Sequence, residues 1–141
     1  MGIDEYSGAS YIDFGAPNES LLNGVEPLWL PVQDNSYWWT AYVEGVYVGN
    51  DATTATKYAL NRSLGLTDTG SSCIIGPQAE INAITDLLLA SLSYYATDNS
   101  WGYLFWCDEL PSMPNLNLLY GEYWFEVRPQ DYGVIVGSSG G

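Results

Sequence analysis

The residues best suited to chemistry lie between Leu66 and Pro77, in the run Leu66-Thr67-Asp68-Thr69-Gly70-Ser71-Ser72-Cys73-Ile74-Ile75-Gly76-Pro77. Asp68 stands where an apolar stretch meets a Thr-Gly turn, and a second apolar pair and a Gly-Pro come at once after it. A carboxylate held by hydroxyls and backbone amides in such a turn is suited to acid/base work. The acid/base chemistry this turn suggests needs two carboxylates. Only one turn of this type occurs in the chain, so Asp68 is half of such a site.

Composition narrows the alternatives. The 141 residues hold 17 acids, three cations (Lys57, Arg62, Arg128) and no histidine, for a formal charge of -14. A Ser-His-Asp or Cys-His site and His-ligated zinc are therefore excluded within these residues. With no basic patch to neutralise phosphate, nucleic acid is all but excluded as a partner and an anionic membrane surface is disfavoured. At about pH 3–5 many carboxylates would be neutral and the self-repulsion would fall, which fits an acidic compartment. An acidic surface that serves solubility accounts for the same charge equally well. The opening Met1-Gly2-Ile3-Asp4-Glu5 is neither basic nor apolar, so no signal peptide is expected at this start, and no apolar run reaches membrane-spanning length.

The elements that must position Asp68 read as mainly β. A hydrophobic share of 47% supports a core, and twelve Tyr, six Trp and fifteen Gly favour strands and turns. Strands are expected at Tyr11–Phe14, Leu28–Val32 (an edge, given Pro31), Tyr37–Val48 with a bend at Glu44-Gly45, and Leu64–Thr67. Others are expected at Trp101–Cys107, Leu116–Leu119, Tyr123–Val127 after a Gly121-Glu122 turn, and Gly133–Val136. One helix should start with Pro77 in its first position, burying Ile81, Ile84, Leu87, Leu88 and Leu92. The expected fold class is all-β with one or two helices, a twisted, partly closed barrel or sandwich, in one domain over residues 1–141.

Cys73 comes after the turn inside an apolar run and is expected as a buried thiol, and Cys107 at a strand end. Nothing in the sequence argues for a bond between them. Asn18-Glu19-Ser20 and Asn61-Arg62-Ser63 are glycosylation sequons, triplets that also occur by chance. Asp4, Glu5, Asp13, Glu26, Asp108, Glu109, Glu122 and Asp131 are expected on solvated faces. Trp38-Trp39 and Tyr123-Trp124-Phe125 could form a carbohydrate platform, but the alternation of a β chain favours core on one side and an interface on the other.

Taken in order, these segments resemble the C-terminal lobe of the pepsin-like aspartic proteases over nearly the whole chain. Tyr11-Ile12-Asp13-Phe14-Gly15 is similar to the strand that opens that lobe, and Trp29-Leu30-Pro31-Val32 with Tyr37-Trp38-Trp39 to its next landmark. Asp68-Thr69-Gly70-Ser71-Ser72 with Gly76-Pro77 resembles the second catalytic turn and the helix behind it. The stretch from Cys107 through Leu110-Pro111, Met113-Pro114-Asn115-Leu116, Gly121, Tyr123 and Pro129-x-Asp131-Tyr132 is similar to the part of the lobe beyond that helix.

The resemblance implies a half-barrel lobe with Asp68 as one catalytic carboxylate. Thr69, Gly70, Ser71 and Ser72 would orient it and the substrate. Ser71 stands where that lobe usually has Thr, which keeps the hydroxyl of a cross-lobe hydrogen bond. The implied substrate is a peptide or protein, with no metal and no cofactor. The implied partner is an N-terminal lobe carrying the second Asp-Thr-Gly turn and the flap, or a second copy of this chain. An isolated copy would be inactive. The implied setting of the parent protein is secreted, or an acidic vacuolar or lysosomal compartment. The lobe is expected to continue past this chain with a cysteine partner for Cys107 and a closing apolar-apolar-Gly strand, so Cys107 should be unpaired. A non-catalytic interaction module, or an inactive protease fragment, is the alternative reading.

Overall fold

Aromatic and β-branched residues from Thr40 to Val48 form two consecutive strands, β1 (Thr40–Val43) and β2 (Gly45–Val48). The computed structural model describes residues 14–33, 37–50, 56–58, 62–98 and 102–134. The break at Glu44 sends the two strands into different sheets. β1 pairs antiparallel with β4 (Ser63–Leu66), Thr40 opposite Leu66 and Val43 opposite Ser63. β2 lies between β3 (Thr56–Tyr58) and β7 (Leu116–Tyr120), and β8 (Tyr123–Val127) completes a sheet of order β3-β2-β7-β8. The Glu44 N–H still donates to the Leu119 carbonyl at 2.8 Å, so the bend stays pinned to β7. A third sheet is the hairpin β5 (Ala96–Asp98) with β6 (Gly102–Leu104).

The β7–β8 hairpin is set by its turn. Tyr120 faces Tyr123 across Gly121-Glu122, and Gly121 has φ +60°. A left-handed first central residue is what a type II′ hairpin turn demands, and glycine adopts it without a Cβ penalty.

Residues Gln78–Leu89 form the helix α1, with Pro77 as the residue before it rather than its first member. Ile84, Leu87 and Leu88 project onto a cluster of Val46, Val48 and Leu116, joined by Leu118, Val127 and Tyr132. Each well-buried branched side chain contributes about 1.5–3 kcal/mol, so this contact is what fixes α1 to the sheet. The other face of β2 is covered differently. Tyr47 meets Trp124 edge-on with ring centroids 4.7 Å apart. Asn117, 3% exposed, donates from Nδ2 to the Gly49 carbonyl at 3.1 Å, which satisfies a buried polar group.

The fold class is mainly β, as expected, and the Glu44-Gly45 bend and the strands near 64–67, 116–119 and 123–127 occur. Of the expected stripe, Ile84, Leu87 and Leu88 pack on the sheet, whereas Leu92 lies past the end of α1 and the buried residue of the helix is Leu89. Several expectations need correction. Leu28–Val32 forms no strand; Pro27 and Pro31 lack the N–H groups a ladder would need. The strand expected over 101–107 is limited to Gly102–Leu104, and Cys107 opens a 3-10 helix, Cys107–Ser112, instead of ending a strand. A short helix α2 (Pro129–Tyr132) and strands β3 and β5 lie outside the expected elements. Of the strands expected at 11–14 and 133–136, only Phe14, Gly133 and Val134 are among the described residues, and none is in a strand.

Candidate active site

Two β-strands and one helix hold the Asp68 turn. β4 ends at Leu66, and the Thr67 N–H donates to the Trp39 carbonyl at 2.9 Å, extending the β1–β4 ladder one step toward Asp68. The chain then reverses: the Ser71 N–H donates to the Asp68 carbonyl at 3.2 Å. Inside this turn the Asp68 carboxylate, through Oδ1, accepts from the Gly70 N–H at 2.9 Å. This is the local side-chain capture that makes Asp a turn former. A Cβ on Gly70 would sit 3.3 Å from Asp68 Oδ1, so glycine leaves the carboxylate its room.

The Ser71 hydroxyl donates to the Cys73 carbonyl at 3.1 Å, so it braces its own loop. Beyond it, Gly76 lies on the first turn of α1: a Cβ there would be 3.2 Å from Ile81 Cδ1. The Ile81 N–H donates to the Pro77 carbonyl at 3.0 Å, which starts the helix against the arm of the turn. Asp68 therefore sits between a strand pair and a helix that is itself packed on the central sheet.

Asp68, Thr69, Gly70, Ser71 and Ser72 are all exposed, and being contiguous they lie together in this turn. Asp68 is oriented by Gly70 alone among the described residues. One contributor escaped sequence reasoning: Trp39, whose main-chain carbonyl anchors Thr67 from a distant part of the sequence. A backbone acceptor leaves no residue-type signal.

The surroundings of the turn correct two expectations. Cys73 is exposed, not buried, and Ile74 and Ile75 beside it are 54% and 83% exposed. The Ser71 hydroxyl ties this apolar run back to the turn at the Cys73 carbonyl, and Gly76 at its far end lies close to the Ile81 side chain of α1. Trp38 and Trp39 are both largely exposed, so neither serves as core. Leu64 and Leu66 on β4 are at least half exposed as well. Trp124 and Phe125, also exposed in part, lean on Tyr47 and Tyr120 respectively. Cys73 and Cys107 are both free thiols.

Among the other acids, Asp108, Glu122 and Glu26 are exposed or partly so, while Asp4, Glu5 and Asp13 lie outside the described residues. Glu109 departs from that pattern. It accepts from the Ser93 hydroxyl and, at 2.8 Å, from the Ser93 N–H, tying the loop after α1 to the 3-10 helix. These hydrogen bonds, the hydroxyl's first, hold the Glu109 carboxyl below its usual 4.5. Asp131 accepts from the Arg128 guanidinium at 3.0 Å and from the Arg128 N–H at 3.1 Å, which caps α2. The guanidinium contact is the main reason its carboxyl lies below the usual 3.8. No group of three His, Cys, Asp or Glu side chains that could hold a metal ion occurs among the described residues.

Fold and turn together define a mainly-β lobe that presents a single Asp-Thr-Gly turn on its surface. The chain matches the eukaryotic aspartyl protease family over residues 3–140, and it belongs to that family. It is 26% identical over 132 residues to mouse gastricsin, covering 94% of this chain and 31% of that protein. Identity to human napsin-A is 30% over 121 residues, covering 81% of this chain and 26% of that protein. The vacuolar aspartic protease of Candida albicans is 31% identical over 127 residues, 89% of this chain and 27% of that protein. The chain thus spans about a third of the length of these relatives or less. No helix among the described residues is long and apolar enough to cross a membrane.

Proposed function

We propose that this chain is one lobe of an aspartic-type endopeptidase and supplies Asp68 to a two-carboxylate site. The observation that carries this reading is the Asp68–Gly70 turn, exposed at the end of a strand pair and backed by α1. With the second carboxylate opposite, the pair shares one proton and holds a water. One carboxylate takes a proton from that water, which attacks the scissile carbonyl. The other gives its proton to the carbonyl oxygen, leaving a neutral tetrahedral centre. The Gly70 N–H keeps the Asp68 carboxylate aimed through this exchange, and Thr69, Gly70, Ser71 and Ser72 line the substrate side. The substrate is a peptide or protein and the mechanism calls for no metal.

A lone carboxylate lacks the partner that splits the proton affinities, so the isolated monomer is inactive in this reading. The mate comes from an N-terminal lobe or from a second copy related by a two-fold axis. Trp38, Trp39, Leu66, Ile74 and Ile75, exposed on both sides of the turn, give such a partner apolar surface to cover. The working compartment is acidic, vacuolar or lysosomal, or extracellular. The charge of -14 and the name of the Candida relative support this setting.

The test is peptide cleavage at about pH 3–5 with the chain alone and with a candidate N-terminal lobe. Pepstatin-sensitive cleavage in the mixture and none from the monomer is expected. Absence of cleavage in every combination overturns the proposal. The same exposed apolar side chains favour a second reading, a non-catalytic binding module. Peptide binding without turnover, unchanged in Asp68→Asn, would select it.

A further inference from the structure

We propose that Asn18 is an acceptor for an N-linked glycan. This rests on the secretory-route compartment of the proposed function and on geometry of its own. Asn18-Glu19-Ser20 is a sequon without proline in its middle position. Asn18 caps the 3-10 turn Glu19–Leu21, with φ -75° and ψ 103°. Its Oδ1 accepts from the Ser20 N–H at 3.1 Å and from the Ser20 hydroxyl at 2.7 Å. The two side chains that a glycosyl transferase must read together already touch.

The contact is made within three residues, an Asx turn closed by its own hydroxyl, so it needs no tertiary fold and is open to an emerging chain. The finished fold also leaves room for a glycan: residues 14–20 are all exposed, and Phe14 and Leu21 are 94% and 61% exposed.

The second sequon is set differently. Its Ser63 lies in β4 opposite Val43, and Arg62 between the sequon ends is paired with Glu44 at 2.9 Å and sits 3.7 Å above the Tyr42 ring. The proposal concerns Asn18 alone.

The donor is an oligosaccharide activated as a pyrophosphate on a polyisoprenyl lipid. Asn18 Nδ2 attacks the anomeric carbon and a C–N bond forms. The C–O bond to the pyrophosphate breaks, its electron pair leaves on the pyrophosphate, and one Nδ2 proton is lost to a base of the transferase. A glycan is too hydrophilic to be packed in an interface, so the face around Asn18 stays in water when a partner lobe binds.

The full chain behind a cleavable secretion leader, expressed in eukaryotic cells, tests this by peptide mass spectrometry after glycosidase treatment. Most copies should show Asn18 converted to Asp by the glycosidase, with complete loss in Ser20→Ala, which keeps the Asn18 cap, and retention in Ser20→Thr. Asn18→Gln is the second loss variant, should either one fold poorly. An unmodified Asn18 alongside a modified control sequon appended after Gly141 overturns the proposal. Modification of the leader-bearing chain with none in the parent protein from its own cells upholds Asn18 as an acceptor and overturns the compartment reading instead.

Discussion

Gly65 on β4 lies against Val43 on β1: a Cβ on Gly65 would be 2.7 Å from Val43 Cγ2. Val43 is β-branched and short, so it has little freedom to swing aside. The strand that delivers Asp68 therefore approaches its partner more closely than an alanine allows. Gly65→Ala should destabilise the chain by about 1–3 kcal/mol, the usual cost of overpacking. Urea unfolding measures it, and Val43→Ala in the same chain should recover part of the loss. A stability equal to wild type would show that the β1–β4 contact is looser than this.

Asp68→Asn keeps an oxygen to accept from Gly70, so the turn should survive with unchanged circular dichroism and melting temperature. In the assembled enzyme, cleavage should fall roughly ten-thousand-fold, the scale on which essential catalytic groups act. Residual cleavage near wild type would remove Asp68 from the reaction.

Tyr132 donates its hydroxyl to the Pro114 carbonyl at 2.7 Å, and burial pushes its own ionisation up to about 12. This bond joins α2 to the chain entering β7. Tyr132→Phe should lose about 1 kcal/mol, since the Pro114 carbonyl is left without that donor. Equilibrium unfolding reads the difference, and a value near zero would mean that water replaces the hydroxyl.

Glu109 is lowered below its usual 4.5 in the folded chain by the Ser93 hydroxyl and N–H. The folded state thus holds this proton less readily than the unfolded state. Its contribution to stability is complete above the unfolded value and is lost as pH falls through the lower folded value. Asp131, lowered by Arg128, has the same sign in a window below its usual 3.8. The melting-temperature gap between wild type and Glu109→Gln should be constant above about pH 5.5 and narrow below about pH 4.5. A gap that widens with acid would reverse the assignment.

Cys73 and Cys107 are both exposed and free. Two thiols per chain should react with a thiol reagent in native buffer, because both are open to solvent. Reaction only after denaturant would return Cys73 to the interior.

The local features were legible in the sequence. The Asp68–Gly70 turn and the Gly121 hairpin each depend on contacts within about four residues, which residue type specifies, and α1 showed in the helical spacing of its apolar residues. Tertiary structure decided the rest. Glu44 divides β1 and β2 between two sheets, Trp39 lends a carbonyl to Thr67, and Glu109 grips Ser93 sixteen positions away. The apolar character of Cys73, Ile74 and Ile75 suggested burial, yet they are exposed, while Ile84, Leu87 and Leu88 of α1 cover the sheet. Residue type sets the preference for leaving water; which apolar segments do so depends on how much surface the fold has to cover them.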